Sequence, residues 1–294
     1  MINSVKKAVI LAAGFGTRFL PFTKAVSKTM LPIVDTPAIQ VVVEEAVKSG
    51  ISEILIIIGV NSSSIQNHFS PNPMLETRIS GNAEAMNAIS SLTKYNIQFA
   101  FQVNLNGTAG AVLLSKKFVG NEPFLLMFAD DVMFAEPKPV SLQLIETFEK
   151  TGCSVVGVQN VTREEAPKYG VIEFNEKNGK EHTICGITEK PKFEEVKSTL
   201  VSLGRFVMKS NYFSFLEKVE QGKNGEYNSS DALSNLSKSE KVIAYDFDGT
   251  RYDTGDKFGY LRAVVEFSLR NEKLAPKMKN FIVSLADKIK NENK

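Results

Sequence analysis

Two cations, Arg18 and Lys28, stand ten residues apart in the segment that follows the apolar run Ala8-Val9-Ile10-Leu11-Ala12. Between that run and the first cation lies Ala13-Gly14-Phe15-Gly16-Thr17. Small residues let backbone N–H groups approach a polyphosphate closely, and fixed positive charges beside them neutralise it. That combination suits a nucleoside triphosphate, so Ala12, Ala13, Gly14, Gly16 and Thr17 are candidate nucleotide contacts. Arg18 offers a fork for bidentate phosphate binding, and Lys28 offers a mobile point charge. The loop has neither the Gly-x-Gly-x-x-Gly of dinucleotide folds nor the Gly-Lys-Ser/Thr ending of a P-loop, which disfavours a dehydrogenase and a P-loop NTPase.

The acidic candidates lie far along the chain. Asp130-Asp131 follows the apolar run ending at Phe128, and Asp253 sits in Arg251-Tyr252-Asp253-Thr254-Gly255. A carboxylate at the C-terminal end of a strand lies at the rim where α/β proteins build their sites. Two such aspartates could hold one Mg²⁺ and leave positions for phosphate oxygens and water, with Asp131 competing with Asp130 for the role. His68 and His182 are the only histidines and Cys153 and Cys185 the only cysteines, which makes a His/Cys zinc site improbable and reduced core thiols the expectation. A further candidate is Gln102, followed by Gly107-Thr108-Ala109-Gly110-Ala111. A helix start of small residues at Gly107 admits a planar base, and the Gln102 amide can pair with its edge. Asp246-Phe247-Asp248-Gly249-Thr250 matches a phosphatase nucleophile motif, but too little chain follows to complete that fold. It reads instead as a strand and turn leading to Asp253.

The elements that must position these groups alternate. Lys7–Ala12 is predicted as the first strand, Thr36 as the cap of a helix from Pro37 to Ser49, and Glu53–Ile58 as a strand covered on both faces. Ser62–Phe69 is predicted as a short helix, 70–92 as a variable insertion, Asn96–Val103 as strand, Thr108–Val119 as one helix and Pro123–Phe128 as strand. The second half mixes shorter strands and helices, and two amphipathic helices follow Gly255. The fold class is therefore α/β, a doubly wound Rossmann-like mixed sheet with a smaller lobe on the same sheet and C-terminal helices. The expected division is 1–130, 131–256 and 257–294.

A chain of 294 residues with 43% hydrophobic and 23% charged residues is ordinary for a globular protein. A net charge of +2 gives no argument for nucleic acid or a membrane surface. The N-terminal apolar run is short for a signal peptide and runs into a polar loop. No stretch approaches the ~20 apolar residues of a spanning helix, so a cytoplasmic protein is expected.

The separated motifs together resemble the sugar-1-phosphate nucleotidyltransferases, whose signature reads (L)AAG-x-GTR…PK-x-(M/L)LP. Here Ser27 stands where that signature has proline. The continuation Ile33-Val34-Asp35-Thr36-Pro37…Glu44-Glu45-Ala46 is similar to the bacterial uridylyltransferase branch. The resemblance implies an enzyme that makes UDP-glucose and pyrophosphate from UTP and glucose-1-phosphate, with Mg²⁺ on Asp130 and Asp253. It further implies that Arg18 and Lys28 act on the triphosphate. From Thr188-Glu189-Lys190-Pro191, Glu189 would bind glucose hydroxyls and Lys190 the sugar phosphate, with Gly170 letting the backbone reach the ring. It implies a homodimer or homotetramer. Thr108, Ala109 and Gly110 depart from the Gly-Leu-Gly-His-Ala usual in that branch, which leaves dTTP, GTP and mannose-1-phosphate as alternatives. A silent sugar-nucleotide-binding regulator is disfavoured by the presence of all five charged candidates. Glu226 and Asp231 resemble an acidic segment of relatives, and a helix-start role with Ser229 or Ser230 as cap is expected there.

Overall fold

Among the described residues nine strands form one mixed sheet, and the order in which they pair decides where a ligand can sit. The computed structural model describes residues 4–60, 62–222 and 225–292; the first three residues of the expected 1–130 half and the last two of the expected C-terminal helices lie outside it. In chain order the strands are β1 (Lys7–Ala12), β2 (Pro32–Ile33), β3 (Thr36–Pro37), β4 (Glu53–Gly59), β5 (Ile97–Gln102), β6 (Phe124–Phe128) and β7 (Asp131–Phe134). They continue with β8 (Ser154–Asn160), β9 (Gly170–Asn178), β10 (Glu181–Glu189), β11 (Leu200–Met208), β12 (Val242–Asp246) and β13 (Thr250–Asp253). The helices are α1 (Ala38–Lys48), α2 (Ser63–Phe69), α3 (Pro73–Ile79), α4 (Ala83–Ser90), α5 (Thr108–Leu113) and α6 (Lys116–Val119). After them come α7 (Val140–Thr151), α8 (Tyr212–Leu216), α9 (Ser229–Ser239), α10 (Lys257–Arg270) and α11 (Ala275–Glu292).

The sheet runs β5-β4-β1-β6-β11-β8-β12-β10-β9. β5, β4, β1 and β6 are mutually parallel, whereas β11 is antiparallel to both of its neighbours and the β9–β10 hairpin closes the far edge. Side chains alternate between the two faces of the parallel strands. Ile10, Ile56 and Met127 pack on one side with Ile39, Val42 and Val43 of α1, while Val9, Ile57 and Leu126 pack on the other with Ala109 and Val112 of α5. This double covering is what makes β4 an unbroken apolar run. From β1 the chain steps outward to β4 and β5, then returns to the opposite side of β1 as β6. The C-terminal ends of β1 and β6 therefore flank a topological switch point, the crevice where open α/β sheets bind ligands.

Several local expectations are corrected. Residues 70–92 carry two helices, capped by Asn72 and Asn82, whose side chains accept from the N–H groups of Leu75 and Ala85. Thr36 does not cap α1: it pairs with Ile33 in a short ribbon, and Pro37 occupies the cap position. The stretch 108–119 is two helices rather than one, broken where the Ser115 hydroxyl bonds back to the Val112 carbonyl at 2.6 Å. β7 and β13, which no sequence pattern announced, form a separate antiparallel ribbon with Asp253 opposite Asp131. Cys153 and Cys185 are half-buried free thiols.

Candidate active site

The loop after β1 is shaped around Lys28. Gly16 adopts φ 66°, and a β-carbon there would lie 2.8 Å from the Lys28 β-carbon, so only glycine permits both the turn and the packing. Thr23 fastens the turn by donating to the Gly16 carbonyl at 2.8 Å. A β-carbon on Gly14 would stand 3.7 Å from Lys28 Nζ, so the ammonium lies over the open backbone of the loop. It pairs there with Asp130 Oδ2.

Asp130 follows β6 and is gripped through its backbone. Thr254, itself buried, donates to the Asp130 carbonyl from its N–H at 2.8 Å and its hydroxyl at 2.9 Å. That contact fixes the end of β13 against the end of β6. A β-carbon on Gly255 would lie 2.8 Å from Asp130 Oδ2 and 3.1 Å from Asp253 Oδ1; the two carboxylates thus face one point, kept open by a residue without a side chain. The Gly255 N–H donates to Asp253 Oδ1 at 3.0 Å, and Arg18 Nη1 donates to the Gly255 carbonyl at 3.2 Å. Arg18, Lys28, Asp130 and Asp253 are therefore brought together.

Asp131 is occupied elsewhere. Its Oδ1 accepts from Arg251, with Nε at 2.6 Å, and its Oδ2 accepts from the Gly204 N–H at 3.0 Å. The carboxylate oxygen that shares the Gly255 cradle with Asp253 belongs to Asp130. Hard oxygen donors on two carboxylates, with an open cradle beside them, fit an ion of the Mg²⁺ type that keeps most positions for phosphate and water. Among the described residues no group of three or more His, Cys, Asp or Glu could enclose a metal, so the ligand would have to complete the shell.

The two aspartates differ electrostatically. Burial pushes the Asp130 carboxyl up, but the Lys28 ammonium outweighs it and holds the group below the usual carboxylate range. Burial pushes Asp253 up, Arg251 opposes this, and the like charges of Asp131 and Asp130 add to the rise, so it ends above its ordinary value.

Beside Lys28 and Asp130 opens a cavity of about 410 Å³ lined by Ala12, Ala13, Gly14, Gln102, Gly107 and Glu226. A neighbouring hollow of about 800 Å³ shares Ala13, Gly14 and Gln102 and adds Thr17. The buried Gln102 gives its amide nitrogen to Asn106 Oδ1 at 3.3 Å and to the Gly107 carbonyl at 3.0 Å. Both N–H bonds being used, its carbonyl oxygen is the atom left for a ligand. Gly107 has φ 110°, and a β-carbon there would strike the Tyr227 carbonyl at 2.5 Å. Tyr227 and Ser229 in fact cross the start of α5. Ala109 N–H donates to the Tyr227 carbonyl at 2.9 Å, and Ser229 N–H donates to Thr108 Oγ1 at 2.9 Å. Asn228, not Ser229 or Ser230, takes the α9 cap position. Glu226 lines the cavity, a placement that the helix-start reading missed.

The third group sits at the β9–β10 hairpin. Gly170 faces Glu189 across the ladder, and a β-carbon on Gly170 would lie 2.8 Å from Ser202 Oγ and 3.1 Å from Glu189 Oε2. Lys190 has φ 44°, donates its N–H to the Tyr169 carbonyl at 3.0 Å, and carries its ammonium, largely exposed, 3.7 Å from Glu189 Oε1. These three residues cluster with one another, and their link to the carboxylates runs through Tyr169 and Arg251, whose Nη1 donates to the Tyr169 hydroxyl at 2.8 Å. Neither Tyr169 nor Arg251 was singled out by residue type. The available signal was spacing, because residues 251 and 253 of one strand share a face.

The nucleotidyl transferase family matches residues 7–268. The chain is 41% identical over 290 residues to a UTP–glucose-1-phosphate uridylyltransferase of Streptococcus pyogenes, covering 97% of this chain and 95% of the relative. Among solved structures, it resembles a UDP-glucose pyrophosphorylase complexed with UDP-glucose, with TM-score 0.84, 35% identity, and coverage of 91% of this chain and 100% of that one. It also resembles the UTP-bound UGPase from Acinetobacter baumannii, with TM-score 0.87, 30% identity, and coverage of 96% and 99%. With matching sequence over nearly its whole length and the same mixed sheet, the chain belongs to the nucleotidyl transferase family.

Proposed function

We propose that this protein makes UDP-glucose and pyrophosphate from UTP and glucose-1-phosphate. The observation that carries this is the meeting of Asp130 and Asp253 at Gly255, with Lys28 on one carboxylate and Arg18 on the glycine carbonyl. Two anionic reactants need cations and a carboxylate-held metal at one place; Arg18 and Lys28 would supply the cations, and Asp130 and Asp253 would hold the metal. The names of the relatives above support the same substrates. The Gln102 carbonyl oxygen suits the imide N–H of uracil, which needs an acceptor.

In this reading an oxygen of the sugar phosphate attacks the α-phosphorus of UTP in line. The new O–P bond forms as the bond to pyrophosphate breaks. The nucleophile is already charged at neutral pH, so no strong base is required, and catalysis rests on positioning and charge neutralisation. Lys28 and Arg18 stabilise the triphosphate and the departing pyrophosphate. Ala12, Ala13, Gly14, Gly16 and Thr17 offer the close backbone approach, and Gly107 gives the base a flat floor. Glu189 and the Gly170 backbone orient the sugar, and Lys190 holds its phosphate. Asp130 and Asp253 would hold a Mg²⁺ ion, which when bound supplies Lewis-acid neutralisation of phosphate oxygens.

Residues 1–130 would then carry nucleotide binding, 131–256 sugar-phosphate binding, and 257–294 subunit contact. Exposed Phe258 and Leu261 on α10 and Phe281 and Val283 on α11 support a homodimer or homotetramer. The protein would work in the cytoplasm without nucleic-acid or membrane partners; no helix among the described residues is long and apolar enough to cross a membrane. The test is pyrophosphate release with Mg²⁺ from a panel of UTP, dTTP and GTP against glucose-1-phosphate and mannose-1-phosphate. UTP with glucose-1-phosphate should give the highest kcat/KM. A higher value for another pair, or binding without turnover, overturns the assignment.

A further inference from the structure

The guanidinium of Arg251 touches both halves of the site, and the chemistry above makes no use of it. Its Nε, at 2.6 Å, and its Nη2 both engage Asp131 Oδ1; Nη2 also lies 3.4 Å from Asp253 Oδ2, and Nη1 donates to the Tyr169 hydroxyl at 2.8 Å. The guanidinium carbon stands 4.9 Å from the centre of the Tyr169 ring. The side chain is only 12% exposed. Asp253 is thereby held at both oxygens, Oδ2 by Arg251 and Oδ1 by the Gly255 N–H, and the oxygen turned towards Asp130 is Oδ1. On the other side, the Tyr169 carbonyl anchors the Lys190 N–H, and the next residue, Gly170, faces Glu189. A rigid plane of donors that engages the two carboxylates along one edge and the Tyr169 hydroxyl from Nη1 is a property of arginine that lysine lacks.

We infer that Arg251 is a positioning residue that fixes the sugar-phosphate loop relative to the Asp130–Asp253 pair. One side chain then sets both the grip on the cation and the grip on the sugar phosphate. The inference rests on the proposed function, because that reading assigns the loop to sugar phosphate and the aspartates to metal.

The test uses the full chain with Arg251→Lys and Tyr169→Phe. Mn²⁺ binding, alone and with UTP, is followed by the EPR signal of the free ion, and KM is measured for each substrate. Loss of a group that orients a metal ligand typically weakens metal binding ~10–100-fold. Arg251→Lys should raise the Mn²⁺ Kd at least about tenfold and the glucose-1-phosphate KM by a similar factor. The UTP KM should stay within about twofold. Tyr169→Phe keeps the ring but loses the bond to Arg251; it should raise the glucose-1-phosphate KM several-fold and leave Mn²⁺ binding within about twofold.

Arg251→Lys that leaves either the Mn²⁺ Kd or the sugar-phosphate KM unmoved overturns the inference, as does a change confined to kcat or stability. Should Arg251→Lys fail to fold, an unchanged glucose-1-phosphate KM in Tyr169→Phe overturns it. Wild-type protein that turns over neither substrate refutes the proposed function instead, and the Mn²⁺ titration of Arg251→Lys still reads whether Arg251 orients Asp253.

Discussion

Replacing Glu45 by Gln should cost more stability than any surface change in this protein, because it leaves a buried guanidinium without its counter-ion. Arg205 on β11 is fully buried and donates to Glu45 through Nε at 3.1 and 3.2 Å and through Nη2 at 2.7 Å. Its remaining bonds go to the carbonyls of Phe128 at 3.3 Å, Gly204 at 2.8 Å and Asp131 at 2.8 Å. Glu45, 7% exposed on α1, also accepts from the N–H and hydroxyl of Ser141 at 3.0 and 2.6 Å. Phe128 and Asp131 flank Asp130, so this ion pair clamps the backbone behind the candidate metal ligand.

Breaking one side of a buried pair costs ~3–5 kcal/mol. At roughly 2–3 °C per kcal/mol for a chain of this size, the melting temperature of Glu45→Gln should fall by about 10 °C. Arg205→Met should cost more still. It strips three carbonyls of their donor at about 1–3 kcal/mol each and leaves Glu45 unpaired. The double variant Glu45→Leu/Arg205→Met should be more stable than the summed losses of the single variants Glu45→Leu and Arg205→Met predict, by at least about 2 kcal/mol, since apolar replacement of a whole buried pair is often nearly neutral. Equilibrium urea unfolding followed by far-UV circular dichroism reads all of these variants. Glu45→Gln within about 1 kcal/mol of wild type would refute the reasoning, since the pair would then be contributing no more than an exposed one.

Three further outcomes follow from particular contacts. Lys28→Ala should lower kcat in the pyrophosphate-release assay by ~10²–10³ with the fold intact, the usual effect of removing a preorganised charge; a near-normal rate removes Lys28 from the mechanism. Gly107→Ala, with φ 110° and a Tyr227 carbonyl 2.5 Å from the new methyl, should destabilise by ~1–3 kcal/mol and raise the UTP KM, read by thermal melting and steady-state kinetics. Burial lowers the pKa of both His68 and His182, Lys177 adding to the effect at His182. The unfolded chain therefore binds more protons below about pH 6.5. Stability should be complete above that pH and fall below it by up to about 1.4 kcal/mol per pH unit per histidine. The ring nitrogens of His182 are buried with no hydrogen-bond partner among the described residues, so His182→Leu should remove its share of the slope in urea midpoints between about pH 7 and 5.

Much of the candidate site could be read from the chain because the side proposed for the nucleotide is local. Ala13 to Lys28 is one continuous loop leaving an apolar strand, and the roles of its glycines follow from the turn and the Lys28 packing that occupy them. The carboxylate side is different, because it depends on register across distant segments. β7 and β13 have four residues each, too few for a period-two pattern to stand out. Their pairing puts Asp253 opposite Asp131 while Thr254 ties the chain to the Asp130 carbonyl. Neighbouring residues of an extended chain face opposite ways, so residue types could nominate Asp130-Asp131 without choosing between them, and only the family resemblance pointed to Asp130. The proposed choice of Asp130 rests on Gly204 and Arg251, which claim the Asp131 oxygens from two other strands. The same non-locality hid Glu226. It reaches the cavity because Tyr227 crosses the start of α5 at Gly107, and no spacing in the sequence connects those two positions. Where the chemistry needs one loop, residue types suffice; where it needs two strands to meet, the partner that fixes the register has to be known before the ligand can be named.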